Sequence, residues 1–252
     1  MGNFREVEYS DGVHKLYGYY QDNKSNNNLV LIPGSYTHHS IWEPVIETSN
    51  INANIMLVEL PGFGKSTPRI PDGTIEEFAS LILKLIDAAK IKRFFVGGHS
   101  IGGMIAIEMI DHASKRIDGV ISCEGWTHAS VEKNAFNNLK NELLTLEQME
   151  KRKYFGTIAR TSWTDDEIKA YSKIWRKWGK GKSILDKCEI PVLEIWGDRG
   201  LKHKPGREEL QIPDKDNINL VWIENGGHSM LIQYPSLIGK EIASFINNSS
   251  KK

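Results

Sequence analysis

The spacing of hydrophobic positions changes character along the chain. Phe4–Tyr9 and His14–Tyr20 read as two short strands around a Ser10-Asp11-Gly12 turn, which predicts a hairpin. A polar stretch, Asp22–Asn28, precedes a short apolar run at Leu29–Ile32 that ends in Pro33-Gly34. From there strand and helix patterns alternate. Ile55–Leu60 is apolar and runs into Pro61-Gly62-Phe63-Gly64. Thr74-Ile75-Glu76-Glu77 reads as a capping box opening a helix with Phe78, Leu81, Ile82, Leu85 and Ile86 on one face. Arg93–Val96 predicts a strand, Ile101–Ser114 a helix, and Ile117–Cys123 the next strand. Pro191–Trp196 and Ile218–Ile223 predict later strands, and a last amphipathic helix starts near Pro235, a residue suited to a first helical position. Strands alternating with helices of this length imply an α/β fold, a mostly parallel central sheet with helices on both faces.

That rhythm breaks once, between Gly125 and Lys187. The stretch has no strand-like run and carries two further capping boxes, Thr145-Leu146-Glu147-Gln148 and Thr164-Asp165-Asp166-Glu167. It reads as a helical cap, residues 125–187, inserted between late strands of a core made of 1–124 and 188–252.

Composition narrows the partners. The 252 residues are 40% hydrophobic, and 32 Lys plus Arg balance 32 Asp plus Glu. A neutral chain has no field to concentrate nucleic acid or an anionic membrane, so neither is expected. Cys123 and Cys188 form no CxxC pair, which argues against a disulfide framework and fits a reducing compartment. No apolar run approaches membrane-spanning length, and Met1–Glu6 lacks the apolar core of a signal peptide. The expectation is a cytoplasmic protein, monomer or homodimer, acting on a small molecule.

Candidate chemistry centres on Gly98-His99-Ser100-Ile101-Gly102. A serine in a tight strand-to-helix turn is lifted above the sheet edge, and small neighbours let the backbones pass. Its hydroxyl needs a base to take the proton. Of eight histidines, His228 in Asn225-Gly226-Gly227-His228-Ser229 follows the last strand and opens on the same edge. No phosphate loop or dinucleotide fingerprint is present, so no cofactor is implied. His38-His39, adjacent but with no carboxylate or Cys neighbour in sequence, is weak as a metal site, and none is assigned.

Together these features resemble the α/β-hydrolase superfamily from Phe4 to Ile246. Pro33-Gly34-Ser35 sits where that family carries its His-Gly oxyanion segment, and Leu60-Pro61-Gly62-Phe63-Gly64-Lys65-Ser66 resembles its D-x-P-G-x-G-x-S stretch. Pro33 replaces the usual His and Glu59 the usual Asp. The resemblance implies an oxyanion hole made by the backbone N–H groups of Ser35 and Ile101. The family's usual acid position holds Gly200, in Gly197-Asp198-Arg199-Gly200, and glycine cannot orient an imidazole. Two candidates remain. Asp198 lies two residues early. Glu124 ends Ile117–Cys123, and if that strand neighbours the nucleophile strand at about 5 Å, it emerges beside Ser100; it is favoured. Cys123-Glu124-Gly125-Trp126 resembles the fungal zearalenone-type lactone hydrolases, whose triad is Ser–Glu–His in this order.

In the cap, Tyr171, Ile174, Trp175 and Trp178 fall at i, i+3, i+4 and i+7, predicting one face of the helix capped by Thr164. This face either docks the cap on the core or roofs an apolar substrate. Gly34, Tyr36, Trp126, Trp175 and Trp178 are the candidate substrate contacts, and His38 and His39 are further candidates for the pocket wall. The opposite face, with Lys173, Arg176, Lys177, Lys180 and Lys182, reads as solvated. The expected activity is hydrolysis of a carboxylic ester or lactone by a serine acyl-enzyme. Serine at the elbow disfavours the dehalogenase and epoxide hydrolase branches, which use Asp there. Carbon–carbon bond hydrolases, thioesterases and a ligand-binding receptor on the same fold are the alternatives.

Overall fold

The computed structural model describes residues 4–136, 143–159 and 163–249. Eight strands form one sheet: β1 (Arg5–Ser10), β2 (Lys15–Gln21), β3 (Asn28–Ile32), β4 (Asn54–Val58), β5 (Phe94–His99), β6 (Ile117–Cys123), β7 (Val192–Gly197) and β8 (Ile218–Ile223). Their order is β1-β2-β4-β3-β5-β6-β7-β8. The pair β1–β2 is the predicted hairpin, closed by Asp11, whose Oδ1 accepts from the backbone N–H groups of Val13 (3.0 Å) and His14 (2.7 Å). From β4 to β8 all neighbours are parallel.

Period-two alternation in the buried strands sends side chains to two cores. Val30, Ile32, Met56 and Val58 face one, with α2 (Ile75–Ala88) and α3 (Ile101–Ala113). Leu29, Leu31, Ile55 and Leu57 face the other, with α1 (Glu43–Glu47) and α10 (Pro235–Ser249). The α2 stripe forms as its spacing predicts: Phe78, Leu81, Ile82, Leu85 and Ile86 are all buried, and Thr74 caps the helix by accepting from Glu77 N (3.1 Å). Each such side chain contributes about 1.5–3 kcal/mol by leaving water.

Between β6 and β7 the described residues hold five helices: α4 (Val131–Phe136), α5 (Leu146–Ala159), α6 (Asp165–Tyr171), α7 (Ile174–Lys177) and α8 (Gly181–Lys187). Both sequence-read capping boxes form here, reciprocally at Thr145 with Gln148 and at Thr164 with Glu167. The single aromatic helix face does not form. The helix capped by Thr164 ends at Tyr171, with Ser172 as its C-cap, and α7 is a separate turn. Tyr171 packs among Tyr36, Phe63, Phe78 and Trp163, and that packing outweighs continuation of the helix. The short α9 (Met230–Gln233) precedes α10. Among the described residues, no helix is long and apolar enough to cross a membrane.

One core group carries a testable cost. Glu194, in β7, is fully buried, with Trp196 Nε1 donating to its Oε2 (3.0 Å), and burial pushes its carboxyl up to about 8. The folded form therefore holds a proton that the unfolded chain releases above its ordinary value of 4.5. Between pH 4.5 and 8 this group lowers stability as pH rises, by up to about 1.4 kcal/mol per unit. Glu194→Gln is neutral at all pH. In urea titrations it should be more stable than wild type at pH 9 and show a flatter dependence from pH 5 to 8. Parallel curves for the two proteins would contradict this.

Candidate active site

The parallel register brings distant loops to one edge. His99 pairs with Cys123 across β5 and β6, so Ser100 and Glu124 leave neighbouring strands side by side, and Ser100 N donates to Cys123 O (2.9 Å). Ser100 has φ 56° and ψ −122°, a strained conformation for a residue with a side chain. Packing imposes it. A Cβ on Gly98 would meet Gly102 O at 2.0 Å, and one on Gly102 would meet Ile32 O at 2.5 Å. Strand, turn and helix therefore cross at backbone contact, which only glycine allows. The same crossing sets the first turn of α3, beginning at Ile101, against the end of β3 that leads to Gly34 and Ser35.

His228 follows β8, and its Nδ1 lies 2.7 Å from Glu124 Oε2. With Nδ1–H donated to that carboxylate, Nε2 carries the lone pair a base needs. Glu124 is fully buried and held on every side. Gly197 N donates to Oε1 (3.0 Å), and Arg199 donates to both oxygens (2.9 and 2.8 Å). Burial by itself raises the Glu124 carboxyl, but the Arg199 guanidinium and the imidazole outweigh it and hold the group at about 2. Glu124 is thus ionised at any working pH. Among the described residues, Asp198 makes no hydrogen bond or ion pair with His228. Its Oδ1 accepts from Gly200 N (2.9 Å) and Asn225 N (2.7 Å), which pins the loops after β7 and β8.

Two cavities meet at Ser100 and His228. One, of about 360 Å³, has aromatic lining from Tyr36, Trp126, Phe136 and Trp175, with Glu132, Arg152 and Arg199 as its charged lining. The other, of about 570 Å³, lies between Gly34, Thr37 and Ile41 on the core side and Met149, Lys153 and Gly156 of α5. Ser35 and Tyr36 line both. The helices between β6 and β7 therefore wall both cavities.

A family model described as the alpha/beta hydrolase fold matches residues 27–161, more than half of the chain. The chain belongs to the α/β-hydrolase family. Among curated relatives it is similar to the pimeloyl-[acyl-carrier protein] methyl ester esterase of Wigglesworthia glossinidia brevipalpis, 26% identical across 87% of this chain and 93% of that protein. It is also similar to a RutD protein of Azorhizobium caulinodans, named for carbamate hydrolysis, at 29% identity. That match spans 44% of this chain and 42% of the relative, so the chain covers less than half of that protein's length. Among solved structures, a bacterial membrane phospholipase A superposes with a TM-score of 0.77 at 18% identity, covering 99% of this chain and 87% of that one.

Within this α/β-hydrolase frame, most sequence-read site residues converge: Ser100, Glu124 and His228 on one edge, with Gly34, Ser35, Tyr36, Trp126 and Trp175 in cavity walls and Ile101 at the elbow. Trp178 does not join them. It is buried against the elbow helix, its Nε1 donating to Glu108 Oε2 (2.7 Å), because the break after Tyr171 turns it from the cavity toward α3. His38 and His39 also lie outside both walls and turn toward Glu59, which is the carboxylate neighbour that the linear sequence concealed.

Two side chains that sequence reasoning passed over belong to the site. Arg199 clamps Glu124 and lies over the Phe136 ring (3.7 Å to its centroid), so it ties the acid to α4. His99, between the elbow glycine and Ser100, places Nε2 2.6 Å from His228 O, and burial with the nearby His228 ring holds it down to about 3. It is neutral, and as an Nε2–H donor it fixes the backbone that carries His228. Its place inside the elbow motif was the available signal; for Arg199, the signal was its adjacency to the vacant acid position.

Proposed function

We propose that this protein hydrolyses carboxylic esters or lactones with an apolar or aromatic portion, through a serine acyl-enzyme. The observation that carries the reading is the 2.7 Å contact of His228 Nδ1 with a buried, ionised Glu124, next to a serine held at positive φ where two cavities meet. Ser100 Oγ attacks the carbonyl carbon as His228 Nε2 takes its proton. The oxyanion is received by the N–H groups of Ser35 and Ile101, each worth about 10²- to 10³-fold in rate. His228 returns the proton to the leaving alcohol, or to the ring oxygen of an opened lactone. Water activated by the same imidazole then cleaves the acyl-enzyme. Glu124 keeps the imidazole in the competent tautomer and stabilises its cation without taking the proton.

Two cavities at the nucleophile suit a substrate with a group on each side of the scissile bond. The aromatic wall of Trp126, Phe136 and Trp175 favours an apolar portion on one side. The names of the relatives, an ester esterase and a carbamate hydrolase, both denote attack on an acyl carbon.

The test is a panel of p-nitrophenyl esters and aromatic and aliphatic lactones, read by steady-state kinetics beside intact mass after fluorophosphonate treatment. Turnover with kcat of about 1–10³ s⁻¹ on at least one class, together with a single adduct, is expected. Folded protein that forms no adduct and turns over no ester or lactone would refute the reading and leave ligand binding as the use of the cavities.

A further inference from the structure

Outside the triad, three side chains with ligand chemistry come together: His38, His39 and Glu59, whose donor atoms all lie within 4.8 Å of one another. The His pair follows the Ser35–Thr37 turn after β3, and Glu59 follows β4. These strands are hydrogen-bonded parallel neighbours, so their C-terminal loops meet.

Glu59 is buried, and among the described residues its only ion-pair contact is His39. Its Oε2 accepts from Lys65 N (2.7 Å) and Ser66 N (3.2 Å), and its Oε1 from Tyr19 Oη (3.0 Å). The loop closes so tightly around it that a Cβ on Gly64 would fall 2.2 Å from the carboxylate. The His39 ring, also buried, stacks on Tyr19 at 4.1 Å and places Nδ1 3.4 Å from Glu59 Oε1, an ion-pair separation outside good hydrogen-bond geometry. A buried ring nitrogen this close to a carboxylate oxygen but poorly aligned with it is only weakly satisfied. A cation held between the two satisfies both.

We propose that His38, His39 and Glu59 bind a divalent transition ion of the zinc, cobalt and nickel class, which clamps the loop carrying Ser35 to the loop after β4. Two imidazoles and one carboxylate suit these ions, whereas magnesium and calcium take oxygen ligands. Bonds of about 2.0–2.2 Å place ligand atoms about 3–4 Å apart. The half-buried His38 ring has its Nδ1 2.8 Å from Ser40 Oγ and 3.3 Å from Ser40 N, which leaves Nε2 as its ligand atom, in the tautomer whose Nδ1–H donates to Ser40 Oγ. Tyr19 and the two backbone donors supply the outer shell that orients the carboxylate. The three ligands line neither catalytic cavity, so the ion's role is to order the oxyanion loop, independently of which substrate is cleaved.

The test uses the untagged full chain, stripped with chelator and titrated calorimetrically with ZnCl₂, with MgCl₂ in parallel. One zinc per chain with micromolar or tighter Kd is expected, with a rise in Tm and no response to magnesium. His38→Gln and His39→Gln should each weaken binding at least tenfold, while His228→Ala leaves it intact. His38→Gln is read first, because His39 is in the core, and far-UV circular dichroism verifies that each variant is folded. Absence of stoichiometric zinc binding by wild type would overturn the proposal. So would undiminished affinity in His38→Gln, equal binding of magnesium, or loss of binding in His228→Ala, which would place the ion at the triad.

Discussion

Ser100→Ala is expected to lower turnover of any ester or lactone substrate by about 10⁴- to 10⁶-fold and to abolish the fluorophosphonate adduct. Removing a triad nucleophile leaves only what binding and the oxyanion donors supply. Backbone geometry adds a second expectation. At φ 56° and ψ −122° the residue holds a conformation that costs an L side chain about 1–3 kcal/mol. Alanine keeps that strain and glycine removes it. Ser100→Gly should be as inactive as Ser100→Ala yet melt about 2–4 °C higher, the shift that ~1–2 kcal/mol gives a chain of this size. Differential scanning calorimetry of the two variants decides the point. Equal melting temperatures would mean that the elbow stores no strain, and residual turnover in both would remove Ser100 from the mechanism.

Glu124→Gln is expected to reduce kcat by about 10³- to 10⁴-fold, whereas Asp198→Asn changes it by less than about threefold. A glutamine amide at the Nδ1 contact can present N–H to the imidazole, inverting the tautomer and aiming a proton where the base should be. Asp198→Asn retains a side-chain oxygen to accept from Gly200 and Asn225, so the turn survives. Glu124→Gln also leaves the buried Arg199 without its charge partner, a loss of about 3–5 kcal/mol. Kinetics therefore belong at low temperature on protein with a native near-UV spectrum. The same network has a pH signature. The Glu124 carboxyl is held at about 2 in the fold against an ordinary 4.5, so its stabilisation is present above pH 4.5 and is lost as pH falls toward 2. Acid titration of wild type should show this loss, and Glu124→Gln should lack that segment. If Asp198→Asn is the crippled variant, the acid is Asp198.

Both expectations depend on contacts of very different range, and range explains what is legible in the chain. Gly98, Ser100 and Gly102 are within five positions, and their steric demands are local, so the motif announces the turn. The α2 stripe and the caps at Thr145 and Thr164 are local in the same sense, and they form as read. The Tyr171–Trp178 face has helical spacing, yet the packing of Tyr171 against Tyr36, Phe63 and Trp163 ends the helix. Trp178 consequently goes to Glu108 rather than to the cavity. His38 and His39 have no carboxylate within three positions in the chain; β3–β4 pairing brings Glu59 to them.

By itself, then, the sequence determined the alternation of strands and helices, the elbow at Ser100 and the loop placement of His228. Each rests on backbone and capping preferences spanning a few residues. Tertiary structure decided which carboxylate meets His228, across 104 positions, and that Arg199, 75 positions from Glu124, holds that carboxylate ionised. It also decided which aromatic rings wall the cavities. Those choices follow from strand order and register, which sum over the whole core and appear in no single stretch of chain.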